Sequence, residues 1–257
     1  MSQESIEERL KRVEAYDFRA LTPFVRFGTA SDRYSGWIGQ IYSESYRERI
    51  RGRSRKLGGK TFREETLPVD SVAHYFEHFD VLELDFTFYR PLLEKDGRPG
   101  SNINTLRTYA EHAPPTARFL LKAPQTYFLR KLRRGSPAVY ETNPDYLNAK
   151  ACHDHFVDPA IRVLGNRLKG FIFEQSYTRQ SEGPSPEENI EELQRFFGEL
   201  NSSIQPHLEL RSPHLLVDEY FKWLEASGLG FVFSHWSWLP ALREPVSYTP
   251  LPLTSIY

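Results

Sequence analysis

GFIFEQ at residues 170–175, followed by SPEENIEELQRFFGEL at 185–200, decides the fold. The first piece is strand length, apolar on both faces, and ends in polar groups, as a strand buried between two layers does. The second opens with Ser185-Pro186-Glu187-Glu188, a helix start with proline in the first turn, and continues with helical periodicity. The same alternation runs outward in both directions. Runs rich in Phe, Val, Ile and Leu over 25–28, 81–86, 118–122, 207–211 and 230–235 read as five further strands. Between them 67–79, 101–113, 145–164 and a segment opening at Ser212-Pro213 read as helices, with Gly228 past the last and an extra N-terminal helix at about 4–16.

Strand then helix, repeated, implies a parallel sheet covered by helices, the α/β architecture of a TIM-like (β/α) barrel. Six strands are legible, so the barrel is expected to be incomplete at the C-terminal end, with residues 251–257 near the seventh strand position. No repeat or flexible linker divides the chain, which reads as a single domain over 1–257. The two long connections, 29–66 and 123–144, each lead from a strand to a helix. They therefore lie on the C-terminal face, where such barrels carry their chemistry.

Composition narrows the setting. Cys152 is the lone cysteine, so this chain can form no internal disulfide or thiolate cluster, and a cytoplasmic location is expected. MSQESIEERLKRVEAY lacks the apolar core of a signal peptide, and no run reaches the roughly 18 apolar residues of a membrane span. Net charge is -1 but unevenly spread: between Arg47 and Arg63 eight bases stand against one acid, and Arg130, Lys131, Arg133 and Arg134 form a second cluster. Both clusters fall in the long connections. Gly52, Gly58 and Gly59 make the first read as a mobile loop.

Each strand from the second to the sixth ends in groups costly to bury without a partner: Glu83 and Asp85, Lys122, Glu174 and Gln175, Glu209 and Arg211, and His235. Residues two apart on a strand share a face, so Glu83 with Asp85 and Glu209 with Arg211 are same-face pairs that would converge at one mouth. A structural ion pair accounts for Glu209 with Arg211 as simply as a ligand does, and a lone histidine such as His235 more often serves a core or rim. Five successive polar strand ends nevertheless favour a pocket. Glu174, Glu209 and His235 could hold a divalent metal, although their spacing is not diagnostic; no other cofactor is indicated. GxGxxG, P-loop, HExxH and GxSxG motifs do not occur, so dinucleotide, Walker-type, zincin and α/β-hydrolase chemistries lose support.

FGTASDRYSGWIGQIY, HYFEHFDVLELDFTFYRP, ARFLLKAP, FIFEQ and HLELRSP occur in that order. Together they resemble the landmarks of the domain-of-unknown-function 72 (DUF 72) family, over roughly residues 25–238. The resemblance implies a (β/α) barrel and no known activity. It places the family's strand-end polar positions at Gly28 and Thr29, at Glu83, Thr87 and Tyr89, at Lys122, at Gln175, and at Glu209 and Arg211. The pattern departs at Ser31-Asp32 in place of Gly-Trp, Asp85 in place of Asn, Thr126-Tyr127 in place of Thr-His, and Ser176-Tyr177 in place of Leu-Pro. Two later family strings, Tyr-x-Arg-x-His-Gly and Phe-Asn-Asn, do not occur before Tyr257, so beside the family the chain reads as cut short or divergent.

These residues lead to an enzyme of hydrolase or lyase type, acting on an anionic, phosphate-bearing substrate at the C-terminal mouth. Glu83 and Glu209 are the expected base and acid, and Lys122 and Arg211 the groups that stabilise developing negative charge. Thr29, Asp85, Tyr89, Gln175 and His235 are the expected substrate contacts. The rival is a non-catalytic nucleic-acid-binding protein that uses the basic loop 47–63, with Tyr42, Tyr46 and Phe62 stacking on bases. The expected partner is thus an anionic small molecule or a nucleic acid, and not a membrane.

Overall fold

The computed structural model describes residues 5, 25–57, 59–134, 139–200, 202–240 and 255–256. In chain order the strands are β1 (Gly28–Ala30), β2 (Arg51–Leu57), β3 (Lys60–Thr66), β4 (Val81–Leu84), β5 (Phe119–Lys122), β6 (Lys131–Arg134), β7 (Val139–Thr142), β8 (Leu168–Gln175), β9 (Pro206–Leu210), β10 (Gly230–Phe233) and β11 (Ser255–Ile256). The helices are α1 (Val72–His78), α2 (Ser101–His112), α3 (Ala149–Cys152), α4 (Asp158–Leu164), α5 (Pro186–Glu199) and α6 (Asp218–Ala226). The helix expected over 4–16 lies outside the described residues.

The six expected strands pair in parallel in the order β1-β4-β5-β8-β9-β10 and curl into half a barrel. β11 joins β10 in parallel, Val232 against Ser255 and Phe233 against Ile256, at the seventh position that the sequence suggested. Among the described residues β1 and β11 do not pair with each other, so the sheet stays open. β1 starts at Gly28 rather than Val25, and there its contact with β4 is so close that a Cβ on Gly28 would lie 1.9 Å from the Val81 carbonyl oxygen.

Period-2 alternation gives the sheet two unlike faces. Leu82, Leu84, Phe119, Leu121, Phe171, Phe173, Leu208, Leu210, Phe231 and Phe233 are buried in the core between the sheet and its helices. Edge-on ring pairs such as Phe76 with Phe119 and Phe173 with Phe196 tie α1 and α5 to it. The residues between these, Glu83, Lys122, Ile172, Glu174, His207, Glu209 and Val232, fall on the opposite, concave face.

The first basic connection differs from the mobile loop that its glycines suggested, and both contain paired strands. Residues 51–66 fold into the antiparallel hairpin β2-β3, with Gly59 at φ 78° in its turn, and residues 131–142 contain a second, β6-β7. Arg53 lies opposite Glu64 and pairs with it, and Arg63 pairs with Glu65, so acids on or beyond the return strand offset much of the basic run.

Helix starts follow the sequence where a cap is present. Ser185 and Glu188 form a reciprocal capping box at the head of α5. The segment after Ser212-Pro213 begins instead as a 3-10 turn, Pro213–Leu215, and the α-helix starts at Asp218. The long helix expected over 145–164 begins at Ala149, where the Asn148 side chain caps it, and is interrupted by a π-helical turn at His153–Val157 between α3 and α4. There the His155 carbonyl accepts hydrogen bonds from the backbone N–H groups of both Leu92 and Leu93. No described helix is long and apolar enough to cross a membrane.

Candidate functional site

Four neighbouring strands deliver charged side chains to the concave face at their C-terminal ends. Glu174 and Glu209 sit directly opposite each other in the β8-β9 register, an arrangement that like charges disfavour. Two cations resolve it. Lys122 Nζ, at the last residue of β5, lies 2.6 Å from Glu174 and 3.1 Å from Glu209. Arg211, one residue past β9, reaches Glu174 and Glu209 with Nη2, at 2.7 Å in each case. Glu83 on β4 contributes a third buried carboxylate. Burial works against the Lys122 ammonium, but Glu209, Glu174 and Glu83 outweigh it and hold its pKa above the ordinary lysine value.

Aromatic rings close the network. The Phe88 ring centroid lies 5.2 Å from Lys122 Nζ, and the Trp236 centroid 4.2 Å from the Arg211 guanidinium carbon. The four charged side chains are left only 7 to 14% exposed. Although it lies just past its strand end, Arg211 is covered by Trp236. Its Nε–H is buried and has no acceptor.

Of the residues singled out in the sequence, Glu83, Lys122, Glu174, Glu209 and Arg211 are brought together and the others are not. Gln175 is on the opposite face from Glu174: its Nε2 donates to Asn189 of α5 at 2.8 Å, inside the helix layer. Asp85 leaves the strand with helical backbone angles and accepts from Ser31 Oγ at 2.7 Å, so it does not pair with Glu83 at the mouth. Thr29 is engaged locally, its Oγ1 donating to the Ser31 carbonyl and its N–H to the Tyr75 hydroxyl. Tyr89 is exposed on the rim, and so is His235, which does not join Glu174 and Glu209. Among the described residues no group of three His, Cys, Asp or Glu side chains is arranged to hold a metal ion.

Tyr177, Trp236 and Trp238, past the strand ends, were not singled out as ligand contacts, yet they are exposed on the same side. A second omission is the family-divergent pair Ser31-Asp32. Ser31 takes φ 66°, the left-handed conformation that favours the glycine of the family pattern. Asp32 is almost completely buried, accepts from the Tyr109 hydroxyl at 2.6 Å, and keeps its other oxygen without a donor. Burial pushes its pKa up to about 6, against the hydrogen bond from Tyr109. A cleft of about 510 Å³ lies apart from the ion network, between the segment after β1 and the exposed side of α2. The mouth is distinguished by its charge chemistry.

Fold and site together define a half-closed parallel α/β barrel with an enclosed ion network at the C-terminal ends of its strands. The sequence matches the family described as "Protein of unknown function DUF72" over residues 26–251, and the chain belongs to that family. The crystal structure of a DUF72 family protein from Thermotoga maritima superposes with a TM-score of 0.51 at 16% identity, over 84% of this chain and 66% of that one. The alignment thus spans just under two thirds of that protein. No curated protein matches.

Proposed function

We propose that the protein is an enzyme performing acid/base chemistry on a small phosphate-bearing anion, at the C-terminal ends of β4, β5, β8 and β9. The observation that carries this reading is Arg211. Its guanidinium is enclosed and shared between two carboxylates through a single nitrogen, while its Nε–H has no acceptor. Left unpaired, that buried donor costs about 1–3 kcal/mol, which an acceptor entering the site would recover. An incoming oxyanion accepts from it.

The charge balance suggests how binding and chemistry are joined. Lys122 and Arg211 are each engaged by both Glu174 and Glu209, so an anion enters by displacing a carboxylate from a cation. The displaced Glu209 or Glu174 is then free to take or give a proton, with Glu83 as its counterpart, while Lys122 and Arg211 hold developing negative charge. Bond cleavage of the hydrolase or lyase type fits such a group of residues. Access requires Phe88 to turn aside from Lys122.

The nucleic-acid reading has less support. Tyr42 and Tyr46, two of its three stacking residues, are buried in the core, and the arginines of β2-β3 with described partners are paired to carboxylates. The test is calorimetric titration of the whole protein with inorganic phosphate and with a short oligonucleotide, for wild type and Arg211→Lys. Saturable phosphate binding that Arg211→Lys weakens at least tenfold is expected. Oligonucleotide binding that falls steeply with salt and ignores Arg211 would assign function to the hairpin instead.

A further inference from the structure

The rim above the ion network carries exposed aromatic side chains that the acid/base chemistry does not use. Tyr177 follows β8, and Trp236 and Trp238 follow β10; all three are more than a third exposed. They are not scattered. Trp236 and Trp238 stack with centroids 5.0 Å apart and planes 27° apart, and Tyr177 meets Trp238 edge-on at 6.3 Å. The group is continuous with the network below, because the Arg211 guanidinium carbon lies 4.2 Å from the Trp236 centroid and Trp238 Nε1–H donates to the Arg211 carbonyl at 3.1 Å. Arg211, Trp236 and Trp238 thus follow one another in a pile, the guanidinium carbon over the Trp236 ring and Trp236 stacked on Trp238, whose indole is 46% exposed.

Such a surface costs free energy to leave in water and returns it when covered. The Trp238 ring is also fixed at two points, by the stack and by its N–H bond, so little side-chain entropy remains to be lost when a ligand settles on it. Another flat π face is what continues a pile of planar groups. The cation at the bottom of the pile suits a phosphate ester better than a neutral hydroxylated ring.

We infer that the rim binds a nucleobase, and that the phosphate-bearing substrate of the mouth is a nucleotide. Its base extends the Arg211, Trp236, Trp238 pile beside Tyr177, and its phosphate addresses Arg211 and Lys122. This rests on the reading of the mouth as a phosphate site, and the experiment separates the two.

The whole protein is titrated with adenosine monophosphate, ribose 5-phosphate, inorganic phosphate, adenosine and methyl glucoside, by calorimetry and by tryptophan fluorescence. Wild type, Trp238→Ala and Trp238→Phe are compared. Adenosine monophosphate is expected to bind at least about tenfold more tightly than ribose 5-phosphate, the effect of one stacked base. Trp238→Ala should erase that factor and leave ribose 5-phosphate affinity unchanged, while Trp238→Phe keeps most of it. Equal affinity for the two phosphates in wild type, or a margin that survives Trp238→Ala, would overturn the base site and leave the phosphate site standing. Methyl glucoside binding more tightly than adenosine would also overturn it, in favour of a sugar. Adenosine binding that depends on Trp238, with no phosphate compound binding more tightly than adenosine itself, would overturn the nucleotide together with the phosphate reading.

Discussion

Arginine–carboxylate pairs of nearly equal length occur in two settings in this molecule. Arg211 meets Glu174 at 2.7 Å with side chains 14% and 12% exposed, and Arg53 meets Glu64 at 2.6 Å on the β2-β3 hairpin with side chains 73% and 33% exposed. Distance does not separate them; solvent does. On the hairpin, water screens the pair and each partner alone remains well hydrated, so its loss matters little. At the mouth each partner removed leaves the others charged, enclosed and short of a counterion. Charge density along the sequence points to the hairpin, whereas the cost of burying charge points to the mouth.

The largest expected effect breaks or upholds this contrast directly. Arg211→Ala should cost on the order of 3–5 kcal/mol in urea unfolding, because Glu174 and Glu209 keep only Lys122, and adding Glu209→Ala should recover a large part. A single variant that unfolds at the wild-type urea concentration would show that the enclosed network weighs no more than a surface pair.

Asp32 extends the contrast to a buried acid hydrogen-bonded to a neutral tyrosine. Its pKa rises from 3.8 to about 6 in the folded protein, so its destabilising effect is absent below the lower value, grows as pH rises, and is complete above the upper. His207 runs the other way. Burial lowers its pKa from 6.5 to about 4, so stability is lost as pH falls across that interval. The two slopes oppose each other between about pH 4 and 6 in wild type. Asp32→Asn should gain up to roughly 3 kcal/mol at pH 7 and then lose stability steeply on acidification, where wild type stays nearly flat. Urea midpoints measured at unit pH steps decide it; parallel pH curves for the two proteins would refute the assignment.

Gly170→Ala tests how tightly the floor beneath the network is filled. The added methyl would meet His207 Nε2 at 2.7 Å and Leu120 Cδ2 at 2.9 Å, an overpacking expected to cost roughly 1–3 kcal/mol in thermal or urea unfolding. An unchanged midpoint would mean that the concave face has room to spare. Arg53→Ala is the smallest: its urea midpoint should coincide with wild type, and a clear shift would give the hairpin pair a weight that its exposure denies.

Strand order and helix starts were legible because short local patterns decide them, as the Ser185 and Glu188 cap shows. The hairpins were not, since RGRSRKL at 51–57 has no apolar alternation and its partners are visible only once 60–66 folds back on it. Counting charge from Arg47 to Arg63 also left out Glu64 and Glu65, which lie just beyond that window. Gln175 was misplaced although the signal was present: it shares parity with Phe171 and Phe173, whose bulk fixes that side toward the helices, and Glu174 takes the other. The gathering of Lys122, Glu174, Glu209 and Arg211 was legible as strand-end polarity. Its closure by Phe88 and Trp236 was not, because Phe88 comes from a single short 3-10 turn and Trp236 from a loop, neither long enough to carry a pattern.

The π-helical turn at His153–Val157 works as a peg. Four residues beyond His155 stands Pro159, which has no N–H to give, so the His155 carbonyl holds Leu92 and Leu93 instead, and the chain leaving Phe88 and Tyr89 is fastened to a helix remote from it in sequence. How Phe88 lies over Lys122 is thereby linked to a proline in that helix. Replacing Pro159 by a residue with an N–H would offer the carbonyl an ordinary helical partner in competition with Leu92 and Leu93. The rim would then come loose while every charged side chain of the network remained in the sequence.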